Sequence, residues 1–525
     1  MLVRVRSVAH VGLTTIPVEV EVDVASKGFP GFNIVGLANK AVDEAKERVK
    51  TAIVNSGMAF PDKRITVNLA PADIPKEGSA YDLPMAVGIL VASKEVEWSD
   101  EDARAVYYGE LGLDGKLRHT KGGLLVGLWV KKSGSTSEQI ARKQSVSDEK
   151  PCVFVPVESA NGVAVVSGIE VKPVRDLVQL VEHFKGDKKI KSLNNIKSTD
   201  LIEAAAVDFD MAEVIGQEQA KRALEIAAAG GHNVLMVGPP GSGKTMLAKA
   251  LPGILPFLSE EESMEVSRIY SVMGLLGPGE ALVRRRSFRS PHHSTSMAGL
   301  IGGGSNPRPG EVSMAHLGVL FLDEMAEFPR TVMEALRQPM EDGWVVISRA
   351  MGRMKYPADF MLVGSVNPCP CGYLGHPKHE CNCSFRQVAR YKQRISGPIL
   401  DRIDLHVSVP AVEIDKLTVS SNESAQKSSQ IRDKVMGTRE RQTKRFSGDG
   451  IYTNAQMKNK QVKKYCQLGG DAERMMRIAA EKFAVSARGY FRLLKVSRTI
   501  ADLDESEDIA ERHVAEALQY RIKVF

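Results

Sequence analysis

The stretch Gly238 to Thr245, which reads GPPGSGKT, constrains the fold of this chain more than any other feature. It lies between the apolar run VLMV and the helix-like run MLAKAL. The glycines allow successive backbone N–H groups to converge on a phosphate, and the positive end of the next helix faces the same point. Lys244 then reaches the β- and γ-phosphates, and the Thr245 hydroxyl is placed to bind Mg²⁺. The motif predicts a nucleoside triphosphate site formed by Gly238, Pro239, Pro240, Gly241, Ser242, Gly243, Lys244 and Thr245.

A second motif, VLFLDE at Val319 to Glu324, supplies carboxylates. Four apolar residues indicate a buried parallel strand, and two acids follow at its carboxyl end, where α/β folds bind ligands. We expect Asp323 to hold the Mg²⁺ shell and Glu324 to polarise the attacking water. The two motifs together predict an α/β P-loop core that binds and hydrolyses ATP with Mg²⁺.

Length and composition set the wider limits. A chain of 525 residues is too long for one core and suggests about three domains. Its net charge of +6 permits a polyanionic partner but does not require one, so the positions of the charges matter more. The N-terminus lacks an apolar signal region, and nowhere do 18 consecutive apolar residues occur. We therefore expect a cytoplasmic protein that has no membrane partner.

Hydrophobic periodicity divides the first third of the chain into α/β elements. Strands are predicted at residues 17–25, 65–71 and 152–156, helices at 40–56, 83–93 and 174–184, and a hairpin at Asp114-Gly115. Residues 133–150 are polar and rich in turn formers, which predicts a surface loop. Residues 186–200 are polar without periodicity, which predicts a linker.

Four of the six cysteines crowd into one short segment, at Cys369, Cys371, Cys381 and Cys383. Two Cys-x-Cys pairs joined by a Gly/Pro/His loop can place four thiolates tetrahedrally around Zn²⁺. His376 or His379 could replace a thiolate, and free buried thiols or redox chemistry are the alternatives. Four protein ligands leave no open coordination position, so the predicted zinc is structural.

Three further segments carry a resemblance to a known branch of ATPases: FMLVGSVNP, ISGPILDRIDLHV and SARGYFRLLKVSRTIADL. With the two nucleotide motifs, they resemble the magnesium-chelatase and MCM-helicase branch of the AAA+ proteins. The resemblance implies that Asn367 senses the γ-phosphate, that Arg402 is an arginine finger acting in trans, and that Arg488 is the second sensor. It also implies that Val214 to Gln217 lines the adenine pocket and that the subunits form a ring.

Two segments inside the core carry clustered cations. Residues 274–311 form a long Gly-rich excursion, and residues 342–356 alternate like a two-stranded ribbon with a turn near Met351-Gly352. They are similar to the pore loops of ring helicases, which would grip phosphates without reading bases. Solvated loop tips are the alternative. The candidate DNA-binding cations are Arg284, Arg285, Arg286, Arg289, Arg349, Arg353 and Lys355, and the first segment also holds His292, His293 and Arg308.

The N-terminal segments FNIVGLANKAVDEAKERV, VNLAPADIPKEGSAYDLPMAVGIL and YGELGLDGKLRHTKGGLL resemble the Lon-protease-like domain, of ribosomal S5 type, that precedes the ATPase in the ComM/YifB family. Ser79 stands close to the position of the Lon nucleophile. The position of the Lon base falls within Leu124 to Gly127, although Lys121 and Lys131 lie nearby. A serine without a base is not an activated nucleophile, so we expect a scaffold or a polynucleotide-binding surface.

The resemblance to the ComM/YifB family covers nearly the whole chain. It implies an ATP-driven motor, a homo-hexamer or larger ring, on single-stranded or branched DNA, since ComM-type members are linked to branch migration in natural transformation. A metal-insertion ATPase of magnesium-chelatase type and a Lon-like protease or unfoldase are the alternatives. The predicted segments are a Lon-like domain without peptidase activity at 1–186, a linker at 187–210, an AAA+ core at 211–410 and a helical lid at 411–525.

Overall fold

The structure is a computed structural model, and its contacts divide the chain into two compact units. The first comprises Met1–Glu203 with Ser259–Arg284, and the second comprises Ala204–Leu258 with Arg285–Phe525. The structure describes residues 1–26, 29–36, 44–74, 76, 78–134, 150–196, 209–304, 307–349, 352–411, 426–483 and 485–521. Most of the loop predicted at 133–150, and part of the predicted linker, lie outside these residues.

The elements up to residue 196 alternate between strands and helices. The strands are β1 (Leu2–Val11), β2 (Thr14–Val24), β3 (Gly31–Val35), β4 (Arg64–Ala70), β5 (Val106–Tyr107), β6 (Glu110–Leu111), β7 (Leu117–Arg118), β8 (Cys152–Pro156) and β9 (Glu170–Val174). The helices are α1 (Ala45–Asn55), α2 (Asp82–Ala92), α3 (Asp100–Arg104), α4 (Gly123–Gly134), α5 (Val157–Ala164) and α6 (Leu177–Lys185).

Residues 209–411 continue the alternation. The strands are β10 (Val234–Val237), β11 (Phe288–Arg289), β12 (Gly302–Gly303), β13 (Arg308–Pro309), β14 (Val319–Leu322), β15 (Trp344–Arg349), β16 (Gly352–Pro357), β17 (Met361–Val366) and β18 (Leu405–Ser408). The helices are α7 (Glu218–Gly230), α8 (Lys244–Ile254), α9 (Glu260–Met273), α10 (Met297–Ile301), α11 (Glu311–Met314), α12 (Arg330–Ala335), α13 (Arg337–Asp342), α14 (Phe385–Lys392) and α15 (Gly397–Leu400).

The remainder is helical, as predicted for the lid. Its helices are α16 (Ser428–Arg445), α17 (Asn459–Tyr465), α18 (Gly470–Lys482), α19 (Ala487–Leu503) and α20 (Glu511–Gln519). Apolar residues of these helices share one continuous core with the sheet of the second unit. Buried His232 links the two parts, because its ring nitrogens lie 3.2 Å from Asp404 Oδ2 and 2.8 Å from Thr499 Oγ1. The C-terminal helices are therefore packed onto the sheet of the second unit.

A seven-stranded mixed sheet organises the first unit, in the order β3-β4-β2-β1-β5-β8-β9. β2 alternates strictly, so that Val18, Val20 and Val22 are buried while the residues between them face outward. Helix α2 is buried along its whole length, because its only charged residue, Asp82, pairs with Arg48 at 2.9 Å. The predicted strands at 17–25, 65–71 and 152–156, the apolar helix and the hairpin at Asp114-Gly115 are confirmed. The strands β1 and β3 were not predicted.

Residues 259–284 belong to the first unit, although they follow the P-loop in sequence. Ala281 and Leu282 pack with Leu124, Val165 and Val166 in one apolar cluster. Sequence order places this segment inside the predicted ATPase core, because it gives no sign of where the apolar face is buried, whereas the contacts group it with the first unit.

A five-stranded parallel sheet organises the second unit, in the order β11-β14-β17-β10-β18. The strands β10, β14 and β17 are buried at every position, as expected for a parallel sheet covered on both faces. The carboxyl ends of these three strands meet at one edge, which brings the P-loop, the paired acids and Asn367 together. The predicted α/β class is confirmed. Within the described residues, no helix is both long and apolar enough to cross a membrane.

Candidate nucleotide site and its surroundings

The P-loop joins the buried strand β10 to helix α8, as the motif predicts. Gly241 has a φ of +73° and Gly243, which caps the helix, has a φ of +88°. Residues other than glycine rarely adopt these backbone angles, so the loop conformation depends on glycine at both positions. Gln217 supports the loop, since its Nε2 donates to the Ser242 carbonyl at 3.2 Å and to the Pro410 carbonyl at 2.6 Å. The segment Val214 to Gln217 is thereby adjacent to the P-loop.

Lys244 is folded back onto the P-loop. Its Nζ donates to the carbonyls of Gly238 and Pro239, both at 2.8 Å, and lies 3.4 Å from Asn367 Oδ1. Burial lowers the pKa of the Lys244 ammonium, while the carboxylates of Asp323 and Glu324 act in the opposite direction. The predicted P-loop lysine and the predicted sensor asparagine therefore lie together at one point.

Oxygen atoms that could bind Mg²⁺ lie close together next to Lys244 in the P-loop. Thr245 Oγ1 donates to Asp323 Oδ2 at 3.0 Å, and the Ser365 hydroxyl donates to the other oxygen of the same carboxylate. A hydroxyl and a carboxylate are hard oxygen ligands, so these residues fit the magnesium that the motifs imply. Ser365 was missed by the sequence analysis. Its position on β17, two residues before Asn367, was the available signal.

Glu324 begins a turn at the sheet edge. Its φ is +49°, and its backbone N–H donates to Asp323 Oδ1 at 3.1 Å, so the two acids are held in fixed relation. The Glu324 side chain remains 55% exposed, and its carboxylate lies 4.0 Å from His293 Nδ1. An exposed carboxylate at this edge can polarise water. In the sequence His293 is only one member of a cationic cluster, and its position beside Glu324 was not predicted.

Arg402 and Arg488 lie apart from the P-loop of their own chain. Arg402 donates to the Glu341 carboxylate and to the Pro398 carbonyl at 2.7 Å, while its buried Nε has no partner among the residues that the structure describes. Arg488 is exposed on the first turn of α19. Among the described residues, no contact joins either arginine to the P-loop. Their roles as finger and second sensor remain predictions.

The hairpin predicted at 342–356 is present, and two of its cations are exposed on one face. β15 and β16 pair antiparallel with Ser348 opposite Arg353 and Val346 opposite Lys355. Arg353 and Lys355 are exposed, whereas Met354 between them is buried. Lys355 also lies over the ring of Trp344. Arg349 ends β15, and its side chain lies outside the described part of the structure.

The cations of residues 274–311 differ in their exposure. Arg286 donates to the carbonyls of Pro256 at 2.6 Å and Leu317 at 2.8 Å, and Arg289 forms a two-pronged ion pair with Glu311 at 2.6 and 2.7 Å. Both guanidinium groups are committed within the chain, so we remove them from the candidate DNA contacts. Arg284 and Arg285 are exposed, and Arg284 is the last residue of the first unit.

The four clustered cysteines meet as predicted, at Cys369, Cys371, Cys381 and Cys383. Their sulfur atoms all lie within 4.8 Å of one another, and Sγ of Cys369 is 3.3 Å from Sγ of Cys371. Tetrahedral zinc with bonds of about 2.3 Å separates its sulfur ligands by about 3.8 Å, so the cluster fits. The Leu374 N–H donates to Cys369 Sγ at 3.3 Å, and such a hydrogen bond stabilises a thiolate that binds a metal. His376 instead accepts backbone N–H groups of its own loop, so neither it nor His379 completes this group.

Comparison with known proteins agrees with this arrangement along the chain. Residues 20–141 match "Subunit ChlI of Mg-chelatase", residues 210–417 match "Magnesium chelatase, subunit ChlI", and residues 425–521 match its C-terminal domain. The uncharacterized protein YifB of Escherichia coli is 41% identical over 98% of this chain and 96% of its own length. Competence protein ComM of Haemophilus influenzae is 41% identical over all of this chain and 98% of its own length. The chain belongs to the ComM/YifB family.

A more distant relative bears on the competing function. The magnesium-chelatase 38 kDa subunit of Cereibacter sphaeroides is 26% identical over 30% of this chain and 53% of its own length. The likeness to the chelatase subunit is therefore partial, whereas the likeness to ComM/YifB proteins spans the chain. The predicted family is confirmed.

In the first unit of this ComM/YifB family member, no described lysine contacts Ser79. The Ser79 hydroxyl donates to the Glu110 carboxylate. Lys131 contacts Ser167 at 3.2 Å, and Lys76, which is fully buried, donates to the Pro71 carbonyl. Without a lysine on Ser79, the described contacts give this serine no Lon-type base. The geometry gives the Lon-like peptidase alternative no support.

Proposed function

We propose that this ComM/YifB family member is an ATP-hydrolysing ring motor that acts on DNA in the cytoplasm. Its single strongest support is the meeting of Lys244, Thr245, Asp323 and Asn367 at one sheet edge, with an exposed Glu324 beside them. In this arrangement Lys244 binds the β/γ-phosphates, while Thr245 and Asp323 hold Mg²⁺, which neutralises phosphate charge. Glu324 orients water and accepts its proton.

The active ring, a homo-hexamer or larger, would let a neighbouring subunit complete each site. Arg402 sits on Glu341 and Pro398 rather than on its own P-loop, which suits a group that acts on the next subunit's nucleotide. A cation supplied in trans stabilises charge on the transferred phosphoryl group. ATP hydrolysis would then depend on assembly. Arg488 would act as the second sensor from the lid.

DNA is the proposed substrate because the exposed hairpin cations lie outside the nucleotide site. Arg353 and Lys355 project from one face of β16, as suits contact with successive phosphates. Arg284, Arg285 and Arg349 remain further candidates. The name of the Haemophilus relative, competence protein, fits a role in handling transforming DNA. We propose branch migration on single-stranded or branched DNA as the activity.

Loss of the two hairpin cations is expected to weaken DNA binding without abolishing ATP hydrolysis. In the double variant Arg353→Gln/Lys355→Gln, affinity for a labelled forked oligonucleotide should fall similarly for all sequences. The slope of log affinity against log salt should flatten by up to about two units, because about one counterion is released per phosphate contact. Fluorescence anisotropy over a salt series measures both quantities.

The matched control is Arg474→Gln/Arg477→Gln. These two arginines are also exposed, on α18, and their removal changes the net charge equally, but each pairs with an acid of its own helix. We expect the control to keep the wild-type slope. Equal slopes for the two double variants would contradict the assignment of the hairpin to DNA.

A metal-insertion motor of magnesium-chelatase type is the second candidate, because the family descriptions and a partial relative carry that name. Such a motor predicts ATP hydrolysis that DNA does not stimulate. The discriminating measurement is the ATPase rate with and without single-stranded, double-stranded and forked DNA. Wild-type protein that neither binds DNA nor responds to it with ATP present would favour the chelatase function.

We also propose that the cysteine group binds one structural Zn²⁺ per chain. Elemental analysis of purified protein should give one zinc per chain, and Cys371→Ser should lower that content strongly, because one of four ligands is lost. Cys466→Ser is the control, since Cys466 is buried in the lid core, away from the group. Purified wild-type protein without zinc, together with four freely titrating thiols, would contradict the proposal.

A further inference from the structure

The cysteine loop, residues 369–383, lies directly against the P-loop. Gly372, between Cys371 and the rest of the loop, has a φ of +84°. A Cβ atom at this residue would lie 2.6 Å from Cδ and 2.8 Å from Cγ of Pro240. Such distances are shorter than non-bonded carbon atoms approach one another. The backbone of Gly372 therefore packs on the proline ring with no room for a Cβ atom between them. The cysteine loop and the P-loop are therefore in direct contact, through Gly372 and Pro240.

The contact falls on the part of the P-loop that holds the lysine. Pro239, the residue before Pro240, accepts a hydrogen bond from Lys244 Nζ at 2.8 Å. On the other side, Gly372 N–H donates to the Cys369 carbonyl at 3.0 Å, which ties it to a predicted metal ligand. A displacement of the cysteine loop would thus reach the phosphate-binding groups through two adjacent prolines.

Regular secondary structure does not fix this loop. Residues 367–384 contain neither helix nor strand, although all are described. A metal that binds four cysteines from this stretch would supply the constraint that backbone ladders supply elsewhere. The same stretch begins at Asn367, whose Oδ1 lies 3.4 Å from Lys244 Nζ.

We propose that the metal-bound cysteine loop positions the P-loop for ATP, through the packing of Gly372 on Pro240. This inference rests on the proposed zinc site and on the proposed ATPase function, and it assigns the cysteine group a task in nucleotide binding. Gly372 is a positioning residue, since it contacts Pro240 rather than the nucleotide. ATP affinity then depends on the metal, whereas the chemistry at Glu324 does not.

Two glycines of one loop provide a matched test. Gly375 has a φ of +77°, similar to that of Gly372, but a Cβ there would meet no atom of the described residues within 4 Å. Gly372→Ala and Gly375→Ala therefore carry a similar backbone strain, and only the first displaces Pro240. We expect Gly372→Ala to weaken binding of a fluorescent ATP analogue about tenfold and Gly375→Ala to leave it near wild type. The hydrolysis rate at saturating ATP should change much less than KM.

A double-mutant cycle tests the contact itself. Pro240→Ala removes both ring atoms that the new methyl group would meet. Adding Gly372→Ala to Pro240→Ala should therefore weaken ATP binding, relative to Pro240→Ala alone, no more than Gly375→Ala weakens it relative to wild type. This comparison remains valid if Gly372→Ala alone folds poorly. Chelator-treated wild-type protein, with an unchanged circular dichroism spectrum, should lose ATP affinity to a similar extent as Gly372→Ala.

Three outcomes distinguish the positioning role of Gly372 from the zinc site and the nucleotide site on which it depends. One zinc per chain together with equal ATP affinity of Gly372→Ala and Gly375→Ala would overturn the positioning role and leave the zinc site intact. Absence of zinc from wild-type protein that still binds ATP would overturn the inference and the zinc site, but not the nucleotide site. Absence of ATP binding by wild-type protein would overturn the proposed function first.

Discussion

Replacement of Glu324 by Gln is expected to produce a protein that binds ATP normally and hydrolyses it at least about a hundredfold more slowly. The amide keeps the size of the side chain but cannot accept the proton of the attacking water. The backbone N–H of Glu324 that bonds Asp323 is unaffected, so the magnesium ligands stay in place. Steady-state turnover and binding of a fluorescent ATP analogue, measured on the same sample, give the two quantities.

Two comparisons sharpen this test. Lys244→Ala should lose ATP binding as well as turnover, because Lys244 is the ammonium placed for the phosphates. Glu440→Gln, at an exposed position of α16, should change neither quantity. Normal hydrolysis by Glu324→Gln would remove this residue from the mechanism and make His293, whose Nδ1 lies 4.0 Å from the Glu324 carboxylate, the next candidate for the base.

Arg402→Ala is expected to reduce turnover about a thousandfold, the lower end of the range for an arginine finger. Mixing Arg402→Ala with Lys244→Ala subunits should restore part of the activity, because mixed rings contain some sites with both an intact P-loop and an intact neighbouring arginine. The measurement is the ATPase rate across mixing ratios at constant total protein. Absence of recovery at every ratio would contradict action in trans.

Glu341→Gln distinguishes a catalytic from a structural role for Arg402. In the free chain the arginine is paired with Glu341. If that ion pair were the reason for the effect, Glu341→Gln should reduce turnover as much as Arg402→Ala does. If the arginine acts on a neighbour's nucleotide, Glu341→Gln should change turnover by less than about tenfold, since the Glu341 side chain is 55% exposed and its charge is screened by solvent.

The grouping of the candidate nucleotide-site residues could be predicted from the sequence because its parts are local and periodic. Each motif combines a short apolar run with polar residues at its carboxyl end, and parallel strands bring such ends to one edge. The same holds for the hairpin at 342–356, where alternation predicts both the pairing and the exposed face of Arg353 and Lys355. The spacing of the cysteines likewise predicted a group that the fold brings together.

Side chains whose partners are distant in sequence could not be assigned in this way. Arg286 and Arg289 read as free cations, yet their partners Leu317 and Glu311 lie more than twenty residues away. Nothing local distinguishes a guanidinium that faces solvent from one that satisfies buried carbonyls. His293 was missed for a related reason, since its approach to Glu324 depends on β11 running parallel to β14.

The exchange of residues 259–284 between units has a consequence for dissecting this protein. The backbone passes from one unit to the other at three places, after Glu203, Leu258 and Arg284. A single cleavage in the linker therefore cannot release two complete units. A fragment starting at Ala204 would carry Ala281 and Leu282 without Leu124, Val165 and Val166, with which they pack, and residues 1–203 alone would expose the other side of the same cluster. Each fragment would be aggregation-prone, and limited proteolysis at the linker should yield two pieces that stay associated until denatured.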